Sequence, residues 1–332
     1  MKAIRVTQFG PPEVLQSIEI PQPIPDQGQI LVRIEAAGVN PIDTYIRSGN
    51  YGRLPELPYT PGSDGAGTVL AVGHGIQSWQ PGQRVYLAGS LTGTYAEAAL
   101  CTPAQIHPLP ENLSFSEGAA LGIPYPTAHY ALFARGHAQP GETVLIHGGS
   151  GAVGQAAIQL AKAHGLHVLA TAGTETGLEL VTLHGADAAF DHTRLGYREA
   201  ILEYTNGLGV HLIVEMLANV NLAHDLTLLA PNANGSANAK ANTNGRVLVV
   251  GSRGPVEINP RDLMLRSADI RGVLLFNASQ AELSSIHAEL QGSLRAGQIR
   301  PSIALEFPLA DAASAHTALL TRGVNGKIVL RP

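Results

Sequence analysis

The chain has 332 residues, a hydrophobic fraction of 45% and a formal net charge of −5. That length supports about two domains with separate cores, and an acidic balance without blocks of like charge argues against nucleic acid as the main ligand. The single cysteine, Cys101, excludes an intrachain disulfide and a multi-cysteine zinc site; it reads as a small buried hydrophobe. No run of about 18 apolar residues is present to span a membrane. The N-terminus MKAIRVTQFG has no apolar core of signal-peptide length, so a cytoplasmic protein is expected.

Residues 1–124 are rich in proline, glycine and short β-like runs such as AIRVTQF, QILVRIEAAGV, AGTVLAVG and QRVYLAG. They predict a twisted, mostly antiparallel β domain, with PGQRV as a turn feeding a strand. Within it, Asn40-Pro41 has the form of a helix cap followed by proline at the first helical position.

From residue 125 the pattern becomes strand–helix–strand. In ETVLIHGGSGAVGQAAIQLAKAHG (142–165), Val144, Leu145 and Ile146 form a buried strand. Gly149, Gly151 and Gly154 supply the G-x-G-x-x-G spacing of a dinucleotide-binding turn. Gly149 is assigned the tight turn, Gly151 the close approach of a pyrophosphate, and Gly154 the helix–strand contact. Val153, Ala156, Ala157, Leu160 and Ala161 predict a helix with one buried face, and Gly165 stands where its cap belongs. The free N–H groups and dipole at the helix start suit phosphates.

Further strands are expected at 167–173, 186–192, 210–217, 246–252 and 269–276, with helices at 178–184, within LGYREAILEYTNG and within NVNLAHDLTLLA. Their alternation implies a doubly wound parallel sheet. PNANGSANAKANTNG (231–245) is a low-complexity insert expected to be a mobile surface loop without chemical role. LSSIHAELQGSLRAG reads as an amphipathic helix. The tail reads as strand, helix, strand, its last strand GKIVL returning to the first domain. The expected division is therefore 1–124 with 300–332, and 125–299. An apolar edge strand in DIRGVLLF invites self-pairing, so a homodimer or homotetramer is expected.

Long segments carry a resemblance: AAGVNPIDTYIRSGNY (36–51), PYTPGSDGAGTVLAVG (58–73), GIPYPTAHYAL (122–132), HGGSGAVG (147–154), EMLANVNL (215–222) and VGSRGPVEINPRD (250–262). With them the chain resembles the medium-chain dehydrogenase/reductase superfamily, and within it the zinc-free, zeta-crystallin-like quinone oxidoreductases. The resemblance implies an α/β fold: a doubly wound parallel Rossmann sheet plus a mostly antiparallel GroES-like catalytic domain. Zinc-dependent relatives carry a cysteine where this chain has Asn40, and a His-Glu pair where it has Ser63 and Asp64. No metal is expected, and without a Lewis acid alcohol oxidation is disfavoured.

NADP(H) is the expected cofactor. NAD-selective sites place an acid after the second strand, but this strand ends in Ala170, Thr171, Ala172, Gly173 and Thr174. The resemblance places Gly173 and His192 near the adenine ribose phosphate; His192 otherwise reads as an exposed loop residue. Arg194 is a possible substitute for a lysine clamp. By the same resemblance Ser150, Gly151, Ala152 and Val153 cradle the pyrophosphate, Asn221 and Val250, Gly251, Ser252, Arg253 line the cofactor, and Val273, Leu274, Leu275 flank the nicotinamide. The last three also read as a buried sixth strand.

The implied reaction is NADPH-dependent reduction of quinones, one electron at a time, to semiquinones. Reduction of activated C=C bonds in enones or alkenals is the alternative, and binding of AU-rich RNA a non-enzymatic one. An acceptor oxygen gaining charge needs a hydrogen-bond donor, for which Tyr45, Asn40 and Tyr51 are the candidates. The resemblance also puts Tyr45 against the cofactor. Asp43 is read as orienting its neighbours.

Overall fold

The computed structural model describes residues 1–231, 244–321 and 323–332. Contacts divide the chain into two compact units, Met1–Pro124 with His287–Pro332, and Tyr125–Ile286. This contact division falls inside the helix Gln280–Arg295. His287 Nδ1 bonds the Tyr86 hydroxyl at 3.0 Å, and Gln291 donates to the Pro108 carbonyl at 2.7 Å, both inside the first unit.

The first unit begins with strands β1 (Lys2–Arg5) and β2 (Gln16–Glu19), which form a hairpin-like pair. β3 (Ile30–Val39), β4 (Asp64–Val72), β5 (Arg84–Ala88), β6 (Ala98–Cys101) and β7 (Ile106–Pro108) follow. Every pairing among these is antiparallel. The period-2 pattern of β3 sends Ile30, Val32 and Ile34 into the core at 0–2% exposure. Cys101 is a buried free thiol, its pKa pushed up to about 12 by desolvation.

The second unit holds β8 (Thr143–Ile146), β9 (His167–Ala172), β10 (Ala188–Asp191), β11 (Leu212–Glu215), β12 (Arg246–Val249) and β13 (Asp269–Gly272). They form one parallel sheet in the order β10-β9-β8-β11-β12-β13. Counted along this unit that is the 3-2-1-4-5-6 order of a dinucleotide-binding sheet. Leu145, Leu169, Ile213 and Val247 are fully buried, as a sheet covered on both faces requires. The helix Ala152–Ala163 is buried from Gly154 to Ala161, whereas Val153 is only partly covered. The expectation of a single buried face is thus corrected: small alanines let it sink in almost all round. Gly165 has φ +76° beyond the helix end, as a cap needs.

The sixth strand is shorter than expected. It ends at Gly272, and Val273–Leu275 lie beyond it, leading into the turn Leu275–Asn277. They are not part of a buried strand; Leu274 is 45% exposed. Of the insert, residues 232–243 lie outside the described residues.

The chain then supplies β14 (Ile303–Pro308), the helix Ala312–Leu319 and β15 (Lys327–Arg331) to the first unit. β15 pairs antiparallel with β3 and parallel with β14, so GKIVL does return to the first sheet. Among the described residues no helix is long and apolar enough to cross a membrane.

Candidate active site

In the second unit, every segment expected to hold a dinucleotide follows the carboxyl end of a parallel strand. Gly148–Gly154 follow β8, Gly173 follows β9, His192 follows β10, Val250–Arg253 follow β12 and Val273–Leu275 follow β13; Asn221 lies in the helix Ala218–Leu228 after β11. β8 is flanked by β9 and β11, which is where the strand order reverses and open α/β sheets take ligands.

The glycine roles differ from expectation at one position. The tight turn belongs to Gly148, with φ +60°, and not to Gly149. Gly149 is needed for packing, because a Cβ there would meet Val181 Cγ1 at 2.9 Å and Ala170 Cβ at 3.0 Å. A Cβ at Gly154 would lie 2.3 Å from the Gly148 carbonyl oxygen, so the helix start presses on the turn as expected. At Gly151 a Cβ would meet one atom, at 3.4 Å. The protein's own packing leaves this glycine open, which is the space a phosphate needs. Gly151 is also the helix N-cap and has no side chain to cap the first-turn N–H groups of Ala152, Val153 and Gly154. Ser150 contributes its carbonyl to Gln155 Nε2 at 2.6 Å, which holds the turn against the helix.

At the tip of β9 the His192 ring lies over Gly173, with Nε2 2.8 Å from where a Cβ would stand. Arg194 is exposed and pairs with Asp191 at 3.1 Å. Thr174 caps the next helix through Gly177 N at 3.0 Å. After β12, Val250 N and Gly251 N both donate to the Glu215 carbonyl, Arg253 N donates to Asn219 Oδ1 at 2.8 Å, and Ser252 Oγ donates to the Gly254 carbonyl at 2.9 Å. Asn221 donates to Glu215 Oε1 at 3.2 Å.

In the first unit, the helix Pro41–Arg47 starts at Asn40 with a capping box in which Asp43 Oδ2 accepts from Asn40 N at 2.9 Å. Asn40 is 3% exposed, and its side chain is a strut. Its Nδ2 donates to Asp64 Oδ2 at 2.9 Å, and its Oδ1 accepts from Lys327 Nζ at 2.5 Å. Lys327 also donates to Asp64 Oδ2 at 2.7 Å. This places Asn40 in a sealed network and not toward an acceptor.

Asp43 is different. It lines a cavity of about 570 Å³ whose wall includes Ile46, Arg53, Leu54, Pro58, Tyr59, Thr60, Ser63 and Leu91; Tyr45, on the helix, and Tyr51, beyond its end, do not line it and are partly buried. Desolvation raises the Asp43 carboxyl to about 7, offset in part by the Asn40 N–H. Tyr95 donates to Asp43 Oδ2 at 3.2 Å and meets His316 Nε2 at 3.1 Å. Burial lowers His316 to about 3, so it is neutral and donates to the Tyr95 oxygen. The acid proton of Asp43 is then left on Oδ1. Tyr59 has a buried hydroxyl with no partner among the described residues, its pKa raised to about 12 by desolvation and the Asp43 charge.

Comparison with known proteins agrees with both units. The model described as "Alcohol dehydrogenase GroES-like domain" matches residues 26–111, and the one described as "Zinc-binding dehydrogenase" matches 152–291. The quinone oxidoreductase of Homo sapiens is 46% identical over 332 residues, covering 99% of this chain and 97% of its own length. The chain belongs to the quinone oxidoreductase family. The Escherichia coli quinone oxidoreductase solved with NADPH matches with a TM-score of 0.87 at 29% identity, over all of both chains. A structure described as an NAD-dependent alcohol dehydrogenase matches with 0.89 at 29% identity, also over all of both. Fold is therefore shared across chemistries, and the side chains must separate them.

In this quinone oxidoreductase family member the Lys327 ammonium sits on Asn40 Oδ1 and Asp64 Oδ2. Among the described residues one set of metal-capable side chains does converge, His147, Glu215 and Asp225, within 4.8 Å. There His147 Nε2 lies 2.9 Å from Asp225 Oδ1 and 3.7 Å from Glu215 Oε2.

Sequence reasoning missed Lys327, Tyr59, Tyr95, His316, Gly148 and His147. Two had a signal. Lys327 is a charge at the head of an apolar strand, in a chain with four lysines, and His147 ends the apolar run of β8. The others meet their partners only through the fold.

Proposed function

We propose that the chain reduces quinones with NADPH. NADPH, when bound at the carboxyl edge of the parallel sheet, supplies the reducing electrons. The uncapped first-turn amides of Ala152, Val153 and Gly154 hold its pyrophosphate. The β9 tip without a carboxylate, with His192 over Gly173 and Arg194 nearby, favours a 2′-phosphate over a bare ribose.

The observation that carries the acceptor side is the cavity with Asp43 and Tyr59 in its wall. Its volume suits a one- or two-ring quinone, and apolar Ile46, Leu54, Pro58 and Leu91 suit the ring. Asp43, protonated below about 7, donates to the acceptor oxygen as negative charge develops there, and Tyr59 can donate beside it. Tyr95 and His316 hold Asp43 in place. With the Lys327 ammonium on the Asn40 and Asp64 oxygens, the acceptor is activated by these hydrogen bonds and not by zinc. An acceptor already prone to reduction fits that machinery.

A panel of ortho-quinones and enones, with NADPH and NADH as donors, tests this reading. Quinone turnover with NADPH preferred is the expected result; turnover of enones alone would overturn it. Semiquinone yield per NADPH reports whether electrons leave singly.

The protein self-associates through β13. This strand is the sheet edge, Ile270 on it is 37% exposed, and Met264 and Leu265 on the preceding helix are 77% and 70% exposed. A two-fold partner pairing edge to edge covers them. Sedimentation should show a dimer or tetramer at micromolar concentration; a monomer at every concentration refutes it.

A further inference from the structure

The glycine turn rests on a buried polar chain. His147, between β8 and the turn, is 3% exposed. Its Nε2 donates to Asp225 Oδ1 at 2.9 Å, and its Nδ1 meets Thr171 Oγ1 at 3.3 Å. The same Thr171 oxygen accepts from Gly148 N at 3.2 Å, and the Thr171 carbonyl accepts from Gly149 N at 2.8 Å. Two successive amides of the turn therefore hang on one threonine of β9, and His147 orients that threonine's hydroxyl.

The far end of the chain is equally enclosed. Asp225 and Glu215 are both fully buried, and Glu215 Oε2 lies 3.7 Å from His147 Nε2. The other Glu215 oxygen accepts from Leu217 N and from Asn221 Nδ2. Burial, with Asp225 against it, raises the Glu215 carboxyl. A proton on Glu215 Oε2 aimed at Asp225 Oδ2 gives both otherwise unpartnered oxygens a bond. One carboxylate charge then remains to hold the His147 N–H. Tyr197 is a further titratable group that feels these carboxylates. Asp225 fixes the imidazole tautomer, so Nε2 donates whether or not the ring is charged. Nδ1 accepts the Thr171 hydroxyl when the ring is neutral and donates to it when charged.

We propose that His147 is a positioning residue for dinucleotide binding: clamped between Asp225 and Thr171, it holds the Gly148–Gly149 amides in the shape that admits the cofactor's pyrophosphate. This rests on the NADPH reading above. A packing role alone would need only the ring's volume; positioning needs the hydroxyl that the ring orients.

Thr171→Val keeps volume and removes that hydroxyl, and Thr171→Ser restores it. Titration with NADPH by its fluorescence, and steady-state kinetics, compare both with the unaltered chain. The expected result for Thr171→Val is a dissociation constant and KM for NADPH raised about ten-fold, as for one lost hydrogen bond, with kcat within about two-fold. Thr171→Ser returns both constants to the original values, and His147→Asn weakens binding in the same direction. Thr171→Val that binds NADPH as tightly as the unaltered chain overturns the proposal while leaving the NADPH reading intact. An unaltered chain that binds no NADPH overturns that reading and this inference with it.

Discussion

Lys327→Met is expected to lower the stability of the first unit by about 3–5 kcal/mol, the cost of leaving a buried charge without its partner. Lys327 and Asp64 are 2% and 0% exposed at the side chain, 2.7 Å apart. Burial raises the Asp64 carboxyl, and the Lys327 charge and hydrogen bond are the main opposing causes. Removing the ammonium raises Asp64 further, so the folded state must keep it protonated. The sign follows from that. A carboxyl with a raised folded pKa favours the folded state below its unfolded pKa and loses that advantage as pH rises. The Lys327→Met deficit should therefore shrink toward pH 4 and be greatest above pH 7. Adding Asp64→Asn should recover most of it. Denaturant midpoints of the single and double variants across pH measure this, and equal deficits at pH 5 and pH 8 would sink the explanation.

Asp43→Asn is expected to lower kcat with quinones by about 10²–10⁴, the usual contribution of a general acid. The unaltered enzyme should lose kcat as pH rises through about 7, where Asp43 gives up its proton, and the variant should show no such step. The NADPH dissociation constant should stay the same. Stability separates this from misfolding. The raised Asp43 carboxyl stabilises the fold below its unfolded value near 4 and loses of order 4 kcal/mol as pH climbs to about 7. Asparagine cannot ionise, so at pH 8 the variant should be as stable as the parent or more so. An Asp43→Asn enzyme with unchanged kcat and the same pH profile removes Asp43 from the chemistry.

The two sites were unequally legible. The dinucleotide edge is local: strand, glycine turn and helix follow one another from Val144 to Ala163, so spacing alone locates Gly151 and Gly154. Even there, Gly149 and Gly148 exchange roles, because adjacent glycines look alike until φ and the contacts of Val181 and Ala170 are known. Val273–Leu275 continued an apolar run, and nothing local marks Gly272 as the end of pairing with β12. In the first unit, the segment 40–51 supplies Asp43 and Ile46 to the cavity wall. Tyr45 and Tyr51 drew attention as aromatic donors, whereas the cavity wall uses Asp43 and brings Tyr59 to it.

By itself the sequence determined the α/β class, the order of strands and helices and the glycine-rich helix start, because each depends on residue periodicity or turn chemistry over a few positions. Tertiary structure alone decided that Lys327 neutralises Asp64 beside Asn40, that Tyr95 and His316 support Asp43, and that His147 reaches Thr171 and Asp225. Those partners are separated by up to 287 positions, as Lys327 is from Asn40. Burial strengthens each such contact and shifts each proton affinity, and burial is a property of the packed chain that no local pattern carries.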